Sequence, residues 1–201
     1  MNRWEHFVDA PLSFVAPRHL AACLGDAPAQ LREQVLAEPR FHARLLALLL
    51  ARHQLQPLSE ITAPDATAMN VLALSPLAFN RLPRLCGAIW HAATLAREVR
   101  APVQHALRQA LGSELYSQAL AHRELAGAAD LLREPAALLQ AIDQDGAACV
   151  AAWAQAQPAP LQRWLALRLN LPAAQPVRPP VNLAIIAAAA TALHRLEEHA
   201  A

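Results

Sequence analysis

The chain has 201 residues and a formal net charge of +1, because its 17 arginines nearly balance 16 acidic residues. A charge this close to zero generates no long-range field toward nucleic acid or an anionic membrane, so neither is an expected partner. The absence of lysine excludes lysine-based chemistry such as a Schiff base. With 48 Ala and 35 Leu against 5 Gly, 4 Phe and 1 Tyr, the composition predicts an all-α fold.

Residues 1–16 lack helical periodicity and are predicted to form an N-terminal arm. Trp4, Phe7 and Phe14 either pack this arm in extended form on the domain or become ordered by a partner. The segment has no apolar core typical of a secretory signal. Elsewhere, no apolar run approaches the roughly 20 residues that span a bilayer. We therefore expect a cytoplasmic protein without direct membrane insertion.

Prolines punctuate the next helices. Pro17 is well placed to begin a short helix, and Pro39 interrupts the helix after it. From Phe41 to Leu55 the high apolar density predicts a buried helix. The connector from Gln56 to Ser75 is expected to contain one short helix, from about Asp65 to Ala73.

The strongest helical periodicity begins near Pro83, where apolar residues recur at three- and four-residue steps. Pro102 ends this helix, since the residue before a proline is disfavoured in the α region. A second helix follows, and Gly112 separates it from a third that runs to about Leu125.

Pro135 begins a helix for which two alternatives stay open. The helix either continues through Gly146 to Gln155 or breaks between Asp143 and Gly146, because an interior glycine costs about 1 kcal/mol relative to alanine. Asp143 and Asp145 are expected near a helix start, where carboxylates interact favourably with the helix dipole.

A proline corner at Pro158 precedes another helix, and the stretch LPAAQPVRPP is typical of a semi-rigid linker. The last helix, from about Asn182 to His199, is expected to be peripheral. We therefore predict a compact single-domain bundle of roughly 8–10 helices with a Pro-rich linker before the last one. The predicted division is an arm at 1–16, a helical core at 17–172, and the linker with the C-terminal helix at 173–201.

No catalytic or cofactor-binding motif is recognisable. The sequence has no G-x-S-x-G, G-x-G-x-x-G or P-loop pattern, and its Cys and His residues lack zinc spacing. His42 and His53 could share a helix face, but solvated or partly buried histidines are the simpler interpretation. Cys86 and His91 would lie about 140° apart on a helix, so we interpret Cys86 as a buried structural residue. We expect no cofactor, no metal and no catalysis, in a reducing cytosol.

Five arginines are candidate partner-binding residues, because they cluster in sequence across two predicted helices: Arg81, Arg84, Arg97, Arg100 and Arg108. A face that carries several guanidiniums can dock an acidic partner surface. A solvated helix face is the alternative interpretation. Trp90, Trp153 and Trp164 lie in apolar helical stretches, which indicates core anchors, with an exposed binding groove as the alternative.

A series of landmarks runs from Leu82 to Pro172 with characteristic spacing. In order these are LPRLCGAIWH, Pro102, HRELAG, Gly146 and PAPLQRWLALRLNLP. Their order resembles that of the SctK/YscK family, the accessory subunit of the type III secretion sorting platform. The closing element carries the most weight, since these residues match the family's helix after a proline corner: Leu165, Leu167, Arg168, Leu169 and Leu171.

The resemblance implies a cytosolic adaptor at the cytosolic face of the inner membrane, without cofactor or enzymatic step. Such an adaptor contacts an SctQ-type pod protein on one side. On the other side it contacts the forkhead-associated-like cytoplasmic domain of an SctD-type inner-membrane ring protein. Two other functions stay open: a small helical enzyme or metal-dependent sensor with the same helix order, and a secretion chaperone for one exported substrate.

Overall fold

A computed structural model of the chain describes residues 3–129, 131, 133–168 and 183–200. Within these ranges the chain forms twelve α-helices, four short 3-10 segments and no strand, which confirms the predicted all-α fold. The α-helices are α1 (Arg3–Asp9), α2 (Pro17–Cys23), α3 (Ala29–Ala37), α4 (His42–His53), α5 (Ala66–Leu72), α6 (Pro76–Trp90), α7 (Ala92–Arg97), α8 (Ala101–Leu111), α9 (Ser113–Ala121), α10 (Pro135–Gln155), α11 (Ala159–Arg168) and α12 (Leu183–Ala200).

Packing contacts group the chain into two compact units. Unit 1 comprises Met1–Asp65 and Gln155–Leu171, and unit 2 comprises Ala66–Ala154 and Pro172–Ala201. The predicted boundaries after residues 16 and 172 stay a prediction. The packing contacts instead separate the two units after Asp65, after Ala154 and after Leu171. The helix count exceeds the predicted one partly because α6 and α7, expected as one helix, separate at His91.

Unit 1 buries the aromatic rings of the N-terminal segment. The Phe14 ring lies edge-on to Phe7 and Trp164, with ring centroids 5.3 and 6.2 Å away. Phe14 is 1% exposed, and Trp4 is buried as well. Of the two alternatives for the arm, the packed one is wrong in its extended conformation: residues 3–9 are helical and a 3-10 turn follows, because burial of the rings outweighs the weak periodicity.

Helix α11 closes the same aromatic cluster. The Leu167 carbonyl accepts a 3.0 Å hydrogen bond from the Ala16 backbone nitrogen, and the Trp164 indole donates to the Gln56 carbonyl at 2.9 Å. The Arg168 guanidinium lies 4.9 Å from the centre of the Phe14 ring, and burial lowers the pKa of Arg168 to about 10. The closing sequence element, as far as Arg168, thus contributes to the core of unit 1, whereas Leu169 and Leu171 lie outside the described residues.

Helix α4 is less buried than its apolar density predicts. Leu45 and Leu49 are buried, but Leu48 is 43% exposed. A cavity of about 590 Å³ lies beside α4, with apolar walls that include Leu12 and Leu20. Among the described residues, α4 therefore has one covered apolar side and one that is partly exposed.

Helix α6 lies at the centre of unit 2 and starts earlier than predicted. The Ser75 hydroxyl caps it by accepting a hydrogen bond from the Ala78 backbone nitrogen at 3.2 Å, and Pro76 occupies the first turn. With its first turn stabilised in this way, the helix begins at Pro76 and includes Pro83 in its interior.

The sequence predicted a peripheral last helix, and this prediction is wrong. Helix α12 packs against α5 and α6 in unit 2. Ile185, Ile186 and Leu193 are at most 1% exposed on its inner face. The His194 imidazole also donates to the Asn70 carbonyl at 2.8 Å. The predicted Pro-rich linker lies outside the described residues. Among the helices that are described, none combines the length and apolar character needed to cross a bilayer.

Candidate functional site

Helices α6 and α10 cross in unit 2 with their backbones in contact at two glycines. A Cβ atom on Gly87 would overlap the carbonyl oxygen of Ile142 and lie 3.1 Å from the backbone nitrogen of Gly146. A Cβ atom on Gly146 would overlap the carbonyl oxygen of Pro83 and lie 2.9 Å from the backbone nitrogen of Gly87. Helix α10 is continuous from Pro135 to Gln155, so the unbroken helix is the correct one of the two alternatives. The glycine at position 146 allows the two helices to pack closely.

Arg84, one of the five candidate partner-binding arginines, lies at this crossing and binds a carboxylate of its own chain. Its Nε and Nη2 atoms donate to the two carboxylate oxygens of Asp143 on α10, at 2.8 and 2.7 Å. This hydrogen bonding raises the pKa of Arg84. The expected position of Asp143 and Asp145 near a helix start is wrong, since both lie in the interior of α10 and bind side chains of the α6 region.

Two further arginines are held by carboxylates. Arg81 on α6 pairs with Glu114 on α9 at 3.1 Å. Between α7 and α8, Arg100 forms a forked pair with the buried Glu98, with distances of 2.9 and 2.7 Å. Hydrogen bonds from the Arg100 side chain and backbone lower the pKa of Glu98 to about 2. The turn stabilised in this way exposes 84% of Val99.

The last two candidates, Arg97 and Arg108, lie in the last turns of α7 and α8. The Arg108 guanidinium on α8 lies 5.2 Å from the centre of the Tyr116 ring on α9, within cation–π range. Arg97 is exposed at the end of α7. The structure thus places all five arginines in unit 2 and joins Arg81, Arg84 and Arg100 to acids within that unit. The role of the five arginines in partner binding stays a prediction.

Two polar pairs line the α6–α10 crossing, and both were missed at the sequence level. His91 is 2% exposed, and its Nε2 atom lies 2.8 Å from a carboxylate oxygen of Asp145. The Cys86 and Cys149 thiols are hydrogen bonded; this bond and burial raise the pKa of Cys86. The same bond lowers the pKa of Cys149. Cys86 and His91 therefore have separate partners on α10.

The histidines considered as metal ligands also have separate neighbours. The His42 Nε2 atom lies 3.1 Å from the Leu36 carbonyl, and the His53 ring packs edge-on to His19 at 5.9 Å. Across the part of the chain that the structure describes, no group of three or more His, Cys, Asp or Glu residues could hold a metal ion.

Sequence reasoning missed these partners because they are far apart along the chain. Arg84 and Asp143 are separated by 59 positions, and His91 and Asp145 by 54. One local signal was available: an isolated glycine inside an apolar helix, here Gly146, usually has a packing role. It could point to a close helix contact but not to the helix on the other side.

Two curated proteins are similar to the chain. They are the nodulation protein NolU of Rhizobium fredii and that of Sinorhizobium fredii (strain NBRC 101917 / NGR234). Each is 30% identical over 140 residues, which cover 67% of this chain and 66% of the relative. The chain therefore spans slightly less than two thirds of the length of these relatives. No protein-family model matches the chain, and no solved structure matches it.

Proposed function

We propose that the chain is a type III secretion-related protein, and more specifically a non-enzymatic cytosolic adaptor of the sorting platform. In this role it binds an SctQ-type pod protein and the cytoplasmic domain of an SctD-type inner-membrane ring protein. The observation that carries the proposal is the ordered set of landmarks from Leu82 to Pro172, which resembles the SctK/YscK family. The 30% identity to NolU over 140 residues supports it more loosely, as a relationship to a bacterial protein named for nodulation.

Three of the landmarks contact one another in unit 2. LPRLCGAIWH forms the second half of α6, where Gly87 meets Gly146 of α10. The last residue of HRELAG, Gly127, donates from its backbone nitrogen to the Trp90 carbonyl at 3.2 Å. A Cβ atom on Gly127 would overlap the Trp90 ring. The spacing on which the resemblance rests is therefore tied to packing, which supports a shared fold over a chance match of composition.

An adaptor acts through stable surfaces, and the polar groups of unit 2 fit that requirement. Arg84, His91 and Cys86 each bind a residue of α10 and so stabilise the helix frame. Affinity for two partners would come from interface area and complementarity, with exposed arginines adding to association rate and specificity.

Binding experiments with the full chain test the proposal. Circular dichroism first shows that the purified chain is folded. The chain is then mixed with the SctQ-type protein and the SctD-type cytoplasmic domain from the same bacterium. Size-exclusion chromatography resolves the complexes. We expect a complex with each partner and one complex containing all three. If the folded chain binds neither partner, the adaptor role is refuted. A stable complex with a single exported substrate would favour the alternative function of a secretion chaperone. Stoichiometric metal retained after dialysis would favour the metal-dependent sensor.

Charge reversal locates the contact. We expect Arg97→Glu and Arg108→Glu to weaken binding of an acidic partner several-fold and to reduce its dependence on salt, with circular dichroism used to confirm that each variant is folded. Arg195→Glu is the matched control, because Arg195 is also an exposed arginine of unit 2. If Arg195→Glu weakens binding equally, the net charge of the chain, and not Arg97 or Arg108 in particular, is responsible for the weaker binding.

A further inference from the structure

Two cysteines that are far apart in the sequence meet at the α6–α10 crossing. Their thiols are hydrogen bonded to each other, although the chain has no C-x-x-C motif. Cys86 is completely buried, whereas Cys149 is partly exposed. The third cysteine, Cys23, is partly exposed on α2 in unit 1. Within unit 2, Cys149 is therefore the more exposed residue of the pair.

The glycine crossing keeps these thiols together. Cys86 precedes Gly87, and Cys149 lies one helical turn after Gly146. Because the backbones touch at the two glycines, neither helix can move closer, and the polar pairs Arg84–Asp143 and His91–Asp145 resist separation. The two helices that carry the cysteines are thus held together by backbone packing and polar pairs, independently of the contact between the thiols.

We propose that Cys86 and Cys149 are a redox modification site, which a peroxide converts from a dithiol into an intramolecular disulfide. In the first step the Cys149 thiolate attacks one peroxide oxygen; the O–O bond breaks, and Cys149 becomes a sulfenic acid while hydroxide leaves. In the second step the Cys86 sulfur attacks the Cys149 sulfur, the S–O bond breaks, and water leaves with the Cys86 proton. The two thiols together lose two electrons, which reduce one peroxide.

The electrostatics of the pair agree with this order of steps. The hydrogen bond from Cys86 lowers the pKa of Cys149 and so favours its thiolate, the form that reacts with peroxide. The same bond and burial raise the pKa of Cys86, which keeps that thiol protonated until the sulfenic acid forms beside it. In a reducing compartment the pair rests as a dithiol.

Intact-mass spectrometry under native conditions tests the proposal, with Cys23→Ser protein so that Cys86 and Cys149 are the only cysteines; peptide mapping assigns any oxygen that Met1 and Met69 gain. We expect hydrogen peroxide to remove the mass of two hydrogen atoms without adding oxygen to either cysteine, and dithiothreitol to restore the two hydrogen atoms. Peptide mapping should then show a Cys86–Cys149 cross-link. Oxygen addition at Cys149 without loss of the two hydrogen atoms would overturn the proposal. So would two unreacted thiols at a peroxide concentration that oxidises Cys23 in the wild-type chain.

Single variants test the roles of the two sulfurs. In Cys86→Ala, Cys149 should accumulate as a sulfenic acid that dimedone traps, because the resolving thiol is missing. In Cys149→Ala, a change at a partly exposed position, Cys86 should resist peroxide until denaturant unfolds the protein. Rapid oxidation of Cys86 in folded Cys149→Ala would contradict the assigned order. These results do not depend on the proposed adaptor function, which the binding experiments test separately.

Discussion

Replacement of Gly146 by alanine tests the α6–α10 crossing, because helix propensity predicts a higher free energy of unfolding and packing predicts a lower one. In an ordinary helix interior, Gly→Ala stabilises by about 1 kcal/mol. At this position the new Cβ atom would overlap the Pro83 carbonyl oxygen and lie 2.8 Å from its carbon. Both atoms belong to the backbone of α6, so no side-chain rotation can relieve the overlap.

The expected cost follows from this geometry. Because real Cβ contacts essentially never fall below 3.0 Å, the two backbones must move apart at the crossing. Overpacking of this kind costs about 1–3 kcal/mol, and backbone overlap belongs at the upper end. Separation also loosens the Arg84–Asp143 and His91–Asp145 pairs, which adds about 1 kcal/mol. Since the gain in propensity offsets about 1 kcal/mol, we expect a net loss of about 3 kcal/mol.

Urea unfolding followed by circular dichroism measures this loss, as a lower midpoint at unchanged slope. Gln144→Gly is the matched control, because Gln144 is exposed on the same helix and should respond to propensity alone, by up to about 1 kcal/mol. Gly87→Ala should resemble Gly146→Ala, and the double variant should cost less than the sum, since one substitution already separates the helices. If Gly146→Ala stabilises the protein, the backbone contact is refuted.

Truncation of fully buried side chains tests each core: Trp153→Ala in unit 2 and Leu165→Ala in unit 1 should each lower the free energy of unfolding by about 2–5 kcal/mol through cavity formation. The two side chains are 1% and 0% exposed, so unchanged stability in denaturant unfolding would show that they lie on the surface. The pH dependence of stability tests the His19–His53 contact of unit 1. Burial, followed by nearby arginines, lowers the pKa of both imidazoles below 6.5. Because the unfolded chain then binds protons more tightly, stability should be full above pH 6.5 and fall as the pH drops below it. His53→Gln should reduce this slope, and an unchanged slope would contradict the assignment.

Helix boundaries were predictable where they depend on a few consecutive residues. Pro17 and Pro102 lie in the first turns of α2 and α8, and Gly112 ends α8 with a φ of 84°. Each result follows from the backbone geometry that proline or glycine prefers. Two local predictions failed: the aromatic N-terminal segment is helical because its rings are buried, and α6 starts at Pro76, after the Ser75 cap, and extends through Pro83.

The candidate site was predictable only as a set of residues, not as a set of contacts. The five arginines could be named from their clustering, but the acids that bind Arg81, Arg84 and Arg100 could not. Of those acids only Glu98 is near its arginine in the sequence, and its burial depends on the surrounding helices. Cys86 was correctly predicted to be buried, yet its contact with Cys149 requires α6 and α10 to be placed side by side.

By itself, the sequence determined the all-α character of this protein and most of the points where its helices begin and end. These properties follow from helix propensity, backbone dihedral preferences and hydrogen bonds within a few residues. Tertiary structure alone decided which arginines bind acids of the same chain, which thiols meet, and that α12 belongs to the core of unit 2. Those outcomes depend on which helix faces come together, and at the α6–α10 crossing that choice is set by close packing between glycines far apart in the sequence.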